Sequence, residues 1–214
     1  MRMRMNLSED DWGNHMSTVF GYARAALALV VALTGMVPAT PSQAIDARHH
    51  LPAKAVVSAP AGAIGLCNQY DWACSRSVTP VEFPADALQT LRRVNQFANR
   101  AITPVSDMAQ YAVAERWALP TKRGGDCEDY ALYKKYALIK QGFPPQRLLL
   151  ASVLDRKMQP HAVLIVRIGP EDLVLDNLTS RIVTWDRTGY TFLRMQDPDK
   201  PERWLALLTG GALS

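Results

Sequence analysis

Gly124-Gly125-Asp126-Cys127-Glu128-Asp129-Tyr130-Ala131 joins a glycine turn to the start of a helix, with a cysteine at the junction. Asp126 is a good N-cap, and Asp129, three residues on, reaches back as a weaker form of capping box. The helix is expected to run from Cys127 to about Gln141, where Gly142 and Pro144-Pro145 end it. Tyr130, Ala131, Leu132, Tyr133, Tyr136, Ala137, Leu138 and Ile139 make it apolar on most sides, which marks a central helix rather than a surface one.

The pattern differs on the two sides of this helix. Upstream, Pro84 to about Ala101 carries Leu88, Leu91, Val94 and Ala98 at helical spacing, and a second helix is expected over Asp107 to Leu119, stopped by Pro120. Downstream come short β-branched or aromatic runs: Leu148–Leu154, His161–Ile168, Leu173–Asp176, Arg181–Trp185, Tyr190–Arg194 and Trp204–Leu208. Helices followed by strands predict an α+β domain with the central helix packed on an antiparallel sheet. The chain has 214 residues, which suits one buried domain, and its 48% hydrophobic and 21% charged content is that of a globular protein. A formal charge of +4 without a dense Lys/Arg stripe lacks the footprint of a nucleic-acid binder, and no such partner is expected.

The N-terminus reads as an export leader. Arg24 precedes the uncharged run Ala25–Val37, which is short of the about 20 residues a membrane span requires. Pro38 to Ala44 follows, with Ser42 and Ala44 at the −3 and −1 positions of a cleavage site. Residues 1–44 are therefore expected to be a signal peptide, with an uncleaved anchor as the alternative and with Met1 or Met16 as the start. Residues 45–66, rich in Ala, Pro, Ser and Gly, read as a flexible lead-in, and 67–214 as the folded domain. His49-His50 lie in the lead-in without further metal-ligand partners. A periplasmic or secreted location suits the cysteines. Cys67 and Cys74 are spaced for a small loop disulfide, leaving Cys127 as the odd thiol.

Cys127 is either an inert buried thiol or a reactive one, and the local sequence supports both equally. A helix N-terminus favours the thiolate, which is the nucleophilic form, and the glycine turn lets the Cys127 N–H face a developing oxyanion. A nucleophile needs a base, and of four histidines only His161 lies within the expected fold, opening a strand. If that strand pairs with the one ending at Asp176 through Gly169-Pro170, partner numbers sum to about 338–341 and His161 faces positions 177–180. A carboxylate then stands beside the base, where it can fix the tautomer and stabilise the imidazolium. The alternative is that Asp176 caps a turn with Asn177. Trp117 is read as a core residue or a groove wall, and Arg123 as a solvated turn residue or a substrate clamp.

The Gly124–Ala131 run, a His opening an apolar strand, and Leu173-Val174-Leu175-Asp176-Asn177-Leu178 together resemble the bacterial transglutaminase-like cysteine peptidases. The resemblance covers roughly residues 65–208, including the paired cysteines and the Trp185…Thr188-Gly189-Tyr190 ending. It implies a transglutaminase/papain-like fold and a triad of Cys127, His161 and Asp176 that hydrolyses a peptide bond in a periplasmic or surface protein. Transglutaminase or amidase transfer on the same fold and a catalytically idle calcium-dependent module are the alternatives. The family includes a periplasmic protease that releases large adhesins and depends on calcium. The resemblance thus implies Ca²⁺ on Asp126, Glu128 and the adjoining Asp129, a surface adhesin as substrate, a membrane-bound regulator as partner and no organic cofactor.

Overall fold

The apolar run beginning at Leu148 forms the centre of a sheet that reaches outward to both ends of the domain. Residues 50–78 and 82–210 are described by a computed structural model; the expected leader, the choice between Met1 and Met16, His15 and His49 lie outside them. Among the described residues seven strands form one sheet: β1 (Ala55–Val57), β2 (Leu148–Leu154), β3 (Pro160–Ile168), β4 (Glu171–Leu175), β5 (Val183–Thr184), β6 (Thr191–Gln196) and β7 (Trp204–Thr209). Their spatial order is β1-β7-β6-β2-β3-β4-β5, and every neighbouring pair is antiparallel.

Side-chain alternation explains both faces. Leu149, Ala151 and Val153 of β2 join Val163, Ile165, Val174, Phe192, Met195 and Leu207 in one buried cluster. The alternate residues Leu148, Leu150, Leu164 and Val166 are also fully buried. Helix α4, defined below, packs against β3 and β2 and contributes nothing to the first cluster, so it covers this second face. Strands buried on both sides read as continuous apolar runs, which is how β2 and β3 look in sequence.

Among the described residues four α-helices precede β2: α1 (Leu66–Gln69), α2 (Ala87–Ala101), α3 (Asp107–Tyr111) and α4 (Cys127–Lys140). Helix α2 buries Leu91, Val94 and Ala98 and packs on α4, while Leu88, expected on the same apolar face, stays exposed. The Cys67–Cys74 disulfide closes the loop after α1. Beside it Gln196 acts as a hub: its Nε2 donates to Ala73 O (3.2 Å) and Pro201 O (3.0 Å), and its Oε1 accepts from Leu150 N (3.2 Å) and from Lys135 Nζ (2.7 Å). Lys135 is fully buried, and this amide gives its ammonium a partner inside the core.

Two expectations need correction. The helix read over Asp107 to Leu119 stops at Tyr111, because Ala112 adopts a left-handed conformation (φ 58°) and the following N–H groups find distant acceptors. Trp117 N donates to Gly62 O (3.2 Å), Ala118 N to Asp129 Oδ1 (3.0 Å) and Leu119 N to the Tyr70 hydroxyl (3.1 Å). Helical periodicity was present, but tertiary bonds outcompete the helix there. The 45–66 segment, from His50 onward, is tied into the domain instead of lying loose. β1 pairs with β7, Leu51 is buried in the sheet's core cluster, and Leu51 N donates to Asp172 Oδ2 (2.8 Å). Its Ala- and Pro-rich composition hides one anchoring leucine and a short edge strand. No helix among the described residues is long and apolar enough to cross a membrane.

Candidate active site

The glycine pair sets the position of the cysteine. Gly124 has φ +123°, and a Cβ there would collide with the Thr103 carbonyl. Gly125 N donates to Thr103 O (3.0 Å) and Gly125 O accepts from Val105 N (3.1 Å), so residues 103–105 and 124–125 form a short parallel bridge. This bridge lays the start of α3 against the start of α4. Asp126 holds the N-cap position of α4, yet its side chain makes no bond to its own helix: Oδ2 accepts from Asp107 N (3.0 Å). Asp129 lies behind Gly125, where a Cβ would collide with its carboxylate, and accepts from Ala118 N.

Asp107, Asp126 and Glu128 each bring one carboxylate oxygen to within 4.8 Å of the others. Asp126 and Glu128 are thus gathered as expected, Asp107 joins them, and Asp129 stands outside that group. Asp107 was invisible in sequence because it lies 19 residues upstream of Asp126 and reads as a helix-start residue. Asp126 Oδ1, Glu128 Oε1 and Asp129 Oδ2 are buried without a hydrogen-bond partner. Burial, then the Asp126 charge, lifts Glu128 to about 9; burial, then Asp126 and Asp107, lifts Asp129 to about 8 despite the Ala118 N–H. Asp107 is raised by burial and by Asp126. Crowded acids with unpaired buried oxygens fit a hard divalent cation, which takes several carboxylate ligands.

Cys127 is the first residue of α4 and is half-buried. Its thiol donates to Glu128 Oε2 at 3.1 Å. Burial raises the thiol pKa well above the usual value, the Glu128 carboxylate adds to the rise, and the Ala162 backbone N–H, which faces the sulfur, opposes it. Ala162 is the neighbour of His161, so the start of α4 meets β3 at the residue beside the histidine.

The β3–β4 register runs through Leu164↔Leu175 and Ile168↔Glu171, a sum of 339. Extended to His161, it faces position 178 and places Asp176 as the diagonal neighbour on the same side of the sheet. His161 Nε2 is 2.9 Å from Asp176 Oδ1, with both side chains buried. Asp176 also accepts from Leu178 N (2.9 Å) and, through Oδ2, from the Tyr190 hydroxyl (2.6 Å). Burial pushes the Asp176 pKa up, but the bonds from His161 and Tyr190 outweigh it and leave the group below the usual carboxylate range. A carboxylate that stays ionised against Nε2–H leaves Nδ1 as the nitrogen free to take a proton. The Tyr190 ring stands edge-on to the imidazole (5.8 Å, 89°).

Tyr190 and two supports behind Asp176 were missed by residue-level reading. Asn99 Nδ2 on α2 donates to the Asp176 carbonyl (2.8 Å), and the buried Lys134 lies close enough to Asp176 to feel its charge. Nothing in the α2 or α4 patterns marks these residues beyond their being polar on buried faces. Trp117 is a core residue packed edge-on against Trp204, and the exposed Arg123 donates to Ala109 O (3.0 Å).

A thiol at a helix start, meeting a strand that carries a histidine braced by a carboxylate, is the layout of a thiol-based acyl-transfer enzyme. Residues 53–211 match the family model of the bacterial transglutaminase-like cysteine proteinases, and the chain belongs to that family. It is accordingly a cysteine peptidase with a transglutaminase-like fold. Solved structures similar to it include those of LapG from Legionella pneumophila. The EGTA-treated form is 26% identical over 50% of this chain and 62% of that chain, less than two thirds of its length, with a TM-score of 0.44. The calcium-bound form is 28% identical over 59% of this chain and 74% of that one, with a TM-score of 0.48. No curated protein matches.

Proposed function

We propose that the protein is an exported thiol peptidase that cleaves a peptide bond in a periplasmic or surface protein, with Cys127 as nucleophile, His161 as base and Asp176 as the residue orienting the base. The observation that carries this reading is the buried 2.9 Å contact between His161 Nε2 and Asp176 Oδ1, next to the strand residue that faces the Cys127 sulfur. His161 Nδ1 takes the thiol proton, the sulfur attacks the carbonyl carbon, and the Cys127 N–H donates to the oxyanion. His161 then returns the proton to the leaving amine, and a water it deprotonates releases the acyl group.

Asp107, Asp126 and Glu128 are the residues that would hold Ca²⁺. Such an ion supplies positive charge that offsets the carboxylates beside the sulfur. Positive charge beside Glu128 would weaken the hold of its carboxylate on the thiol proton, which His161 takes in the reaction. Asp129, with Oδ1 taken by Ala118, supports the turn from behind.

Mass spectrometry of a model protein incubated with enzyme and a primary amine tests the reading. Water-terminated fragments that vanish in Cys127→Ala support it. Amine adducts without cleavage point to transglutaminase transfer instead. If iodoacetamide labels Cys127 no faster than a free thiol in the presence of Ca²⁺, and Cys127→Ala leaves cellular function intact, the chain is an idle module. The cation is tested apart from activity: Ca²⁺ should raise the melting temperature of Cys127→Ala, and Asp126→Asn with Glu128→Gln should abolish the rise. An equal rise in both proteins removes these carboxylates as ligands.

A further inference from the structure

Beyond the His161–Asp176 pair lies a cleft of about 310 Å³ whose floor is Val174, Asp176 and Tyr190. Four cationic side chains line it from three separate segments: Arg156 and Lys157 from the β2–β3 turn, Arg181 from the connection after β4, and Arg187 from the turn before β6. Arg156 Nε donates to Thr188 O (2.7 Å), which orients its guanidinium at the rim.

The acids present offset these cations only in part, Asp155 feeling the Lys157 charge. Asp155 accepts from Lys157 N (2.7 Å) and Gln159 N (2.9 Å) within its own turn. Asp176 is committed to His161, Tyr190 and Leu178. Among the described residues, no ion pair joins a carboxylate to Arg156, Lys157, Arg181 or Arg187. Four cations and two occupied carboxylates therefore share one small concavity. The four cations are solvent-exposed, and like charges lining one cleft focus the field there and raise the local concentration of anions.

We infer that this cleft is a subsite for an acidic side chain of the protein substrate, so that the enzyme selects segments bearing Asp or Glu at one fixed position from the cleaved bond. The inference rests on the peptidase reading above and deepens it. Two features favour a peptide carboxylate over a nucleic-acid or lipid phosphate. The volume is at the low end of ligand pockets, roughly 300–1,000 Å³, enough for a side chain and its flanking backbone but not for a duplex. The floor is also formed by Asp176, the partner of His161, so an occupant lies behind the carboxylate that orients the base, and Val174 offers an apolar seat for a Glu methylene stem. Arginine's planar fork matches a carboxylate with two parallel bonds, and three of the four cations are Arg.

The test uses dansyl-labelled decapeptides in an Ala/Ser/Gly background, with a Glu-Glu step placed at successive positions and matched Gln-Gln controls. Binding to full-length Cys127→Ala is read by fluorescence anisotropy. The best Glu-Glu peptide should bind about tenfold tighter than its Gln-Gln partner at low salt, with the gap narrowing as salt rises. Arg181→Glu with Arg187→Glu should bring the ratio to about one, while Arg181→Lys with Arg187→Lys keeps most of it; melting curves check that both variants are folded. A ratio near one in Cys127→Ala, or a preference that survives charge reversal, overturns the inference. So does equal competition by a short oligonucleotide or by vesicles of anionic phospholipid, which would mark an unselective anion patch. Cleavage of the same peptides by the wild-type enzyme keeps the two readings apart. Cleavage without acidic preference sinks the subsite alone, and acidic binding without any cleavage sinks the peptidase reading alone.

Discussion

Replacing Tyr190 by Phe removes one oxygen and leaves nearly everything else in place. The ring still fills its buried site and stands edge-on to His161. Asp176 Oδ2 loses its donor, since the other two bonds to this carboxylate, from His161 and Leu178, end on Oδ1. A hydrogen bond to a buried charge is worth about 1.5–3 kcal/mol. Without that bond the folded Asp176 pKa should rise. The direction of the pH dependence follows from linkage. Asp176 is depressed below its ordinary 3.8, so its contribution is complete above that value and is lost as pH falls through the depressed folded pKa. In Tyr190→Phe that depression is smaller, because the His161 bond remains and the tyrosine bond is lost. The stability gap between the proteins is therefore flat around neutral pH and closes only below roughly pH 5.

Urea unfolding at pH 7 measures the gap, and Asp176→Asn supplies the second edge of a double-mutant cycle. With a neutral amide the tyrosine bond is worth about 0.5–1.5 kcal/mol, so Tyr190→Phe should cost about 1 kcal/mol less in that background. In activity, kcat should fall more than KM changes, because the carboxylate supports the imidazolium formed during reaction rather than the bound substrate. Equal costs of Tyr190→Phe in both backgrounds would refute the claim that its hydroxyl acts through the Asp176 charge.

Glu128→Gln, studied in EGTA, removes the carboxylate that accepts from the Cys127 thiol, a charge present once pH passes the Glu128 value of about 9. The pH–rate curve for iodoacetamide labelling should move down by about one pH unit or more, and an unmoved curve would exclude Glu128 as the restraint. Lys135 is buried, and burial lowers it from 10.5 to about 7. The unfolded chain then binds the extra proton between those values, so stability rises with pH across that window, opposite to a lysine stabilised by a partner. Lys135→Met should remove up to about 1.4 kcal/mol per pH unit of that slope, measured by urea unfolding at pH 7, 8.5 and 10. Opening the Cys67–Cys74 loop, seven residues in separation, with Cys67→Ser and Cys74→Ser should cost about 2.5 kcal/mol on chain-entropy grounds, read as a lower denaturation midpoint.

The sheet and α4 were legible because their signals are local and long: apolar runs of strand length and a capped, apolar helix. The nearness of Asp176 to His161 was legible for a related reason, since one hairpin with a Gly-Pro turn leaves little freedom in register, and the observed sum of 339 lies inside the expected range. What escaped depends on chain segments that meet only after folding. Asp107 reaches Asp126 through the bridge between residues 103–105 and 124–125, which exists because Gly124 and Gly125 admit a close backbone approach. Tyr190 reaches Asp176 from the residue just before β6, fourteen residues away. Residues 112–119 kept a helical pattern while their amides were taken by Gly62, Asp129 and Tyr70. Leu51 was one apolar residue in a polar, Pro-rich stretch, too weak a pattern to mark an anchor.

The same turn gives Cys127 two opposed environments. Its position at the start of a fourteen-residue helix favours the thiolate, and the Ala162 N–H pulls the same way, yet burial and Glu128 prevail and keep the proton on sulfur. Glu128 in turn is lifted to about 9, so without a cation it is largely protonated at neutral pH, and the cluster relieves its own crowding by taking up protons. Binding a divalent cation must displace those protons, so affinity should strengthen as pH rises toward 9. Were a cation held there, thiol reactivity and cation affinity would be linked through the charge of Glu128, whose Oε2 accepts from the thiol while Oε1 has no partner. An arrangement with acids at a distance from the sulfur would bind the ion without this link. Their placement at positions 126 and 128, on either side of the cysteine, is what would tie the two events together.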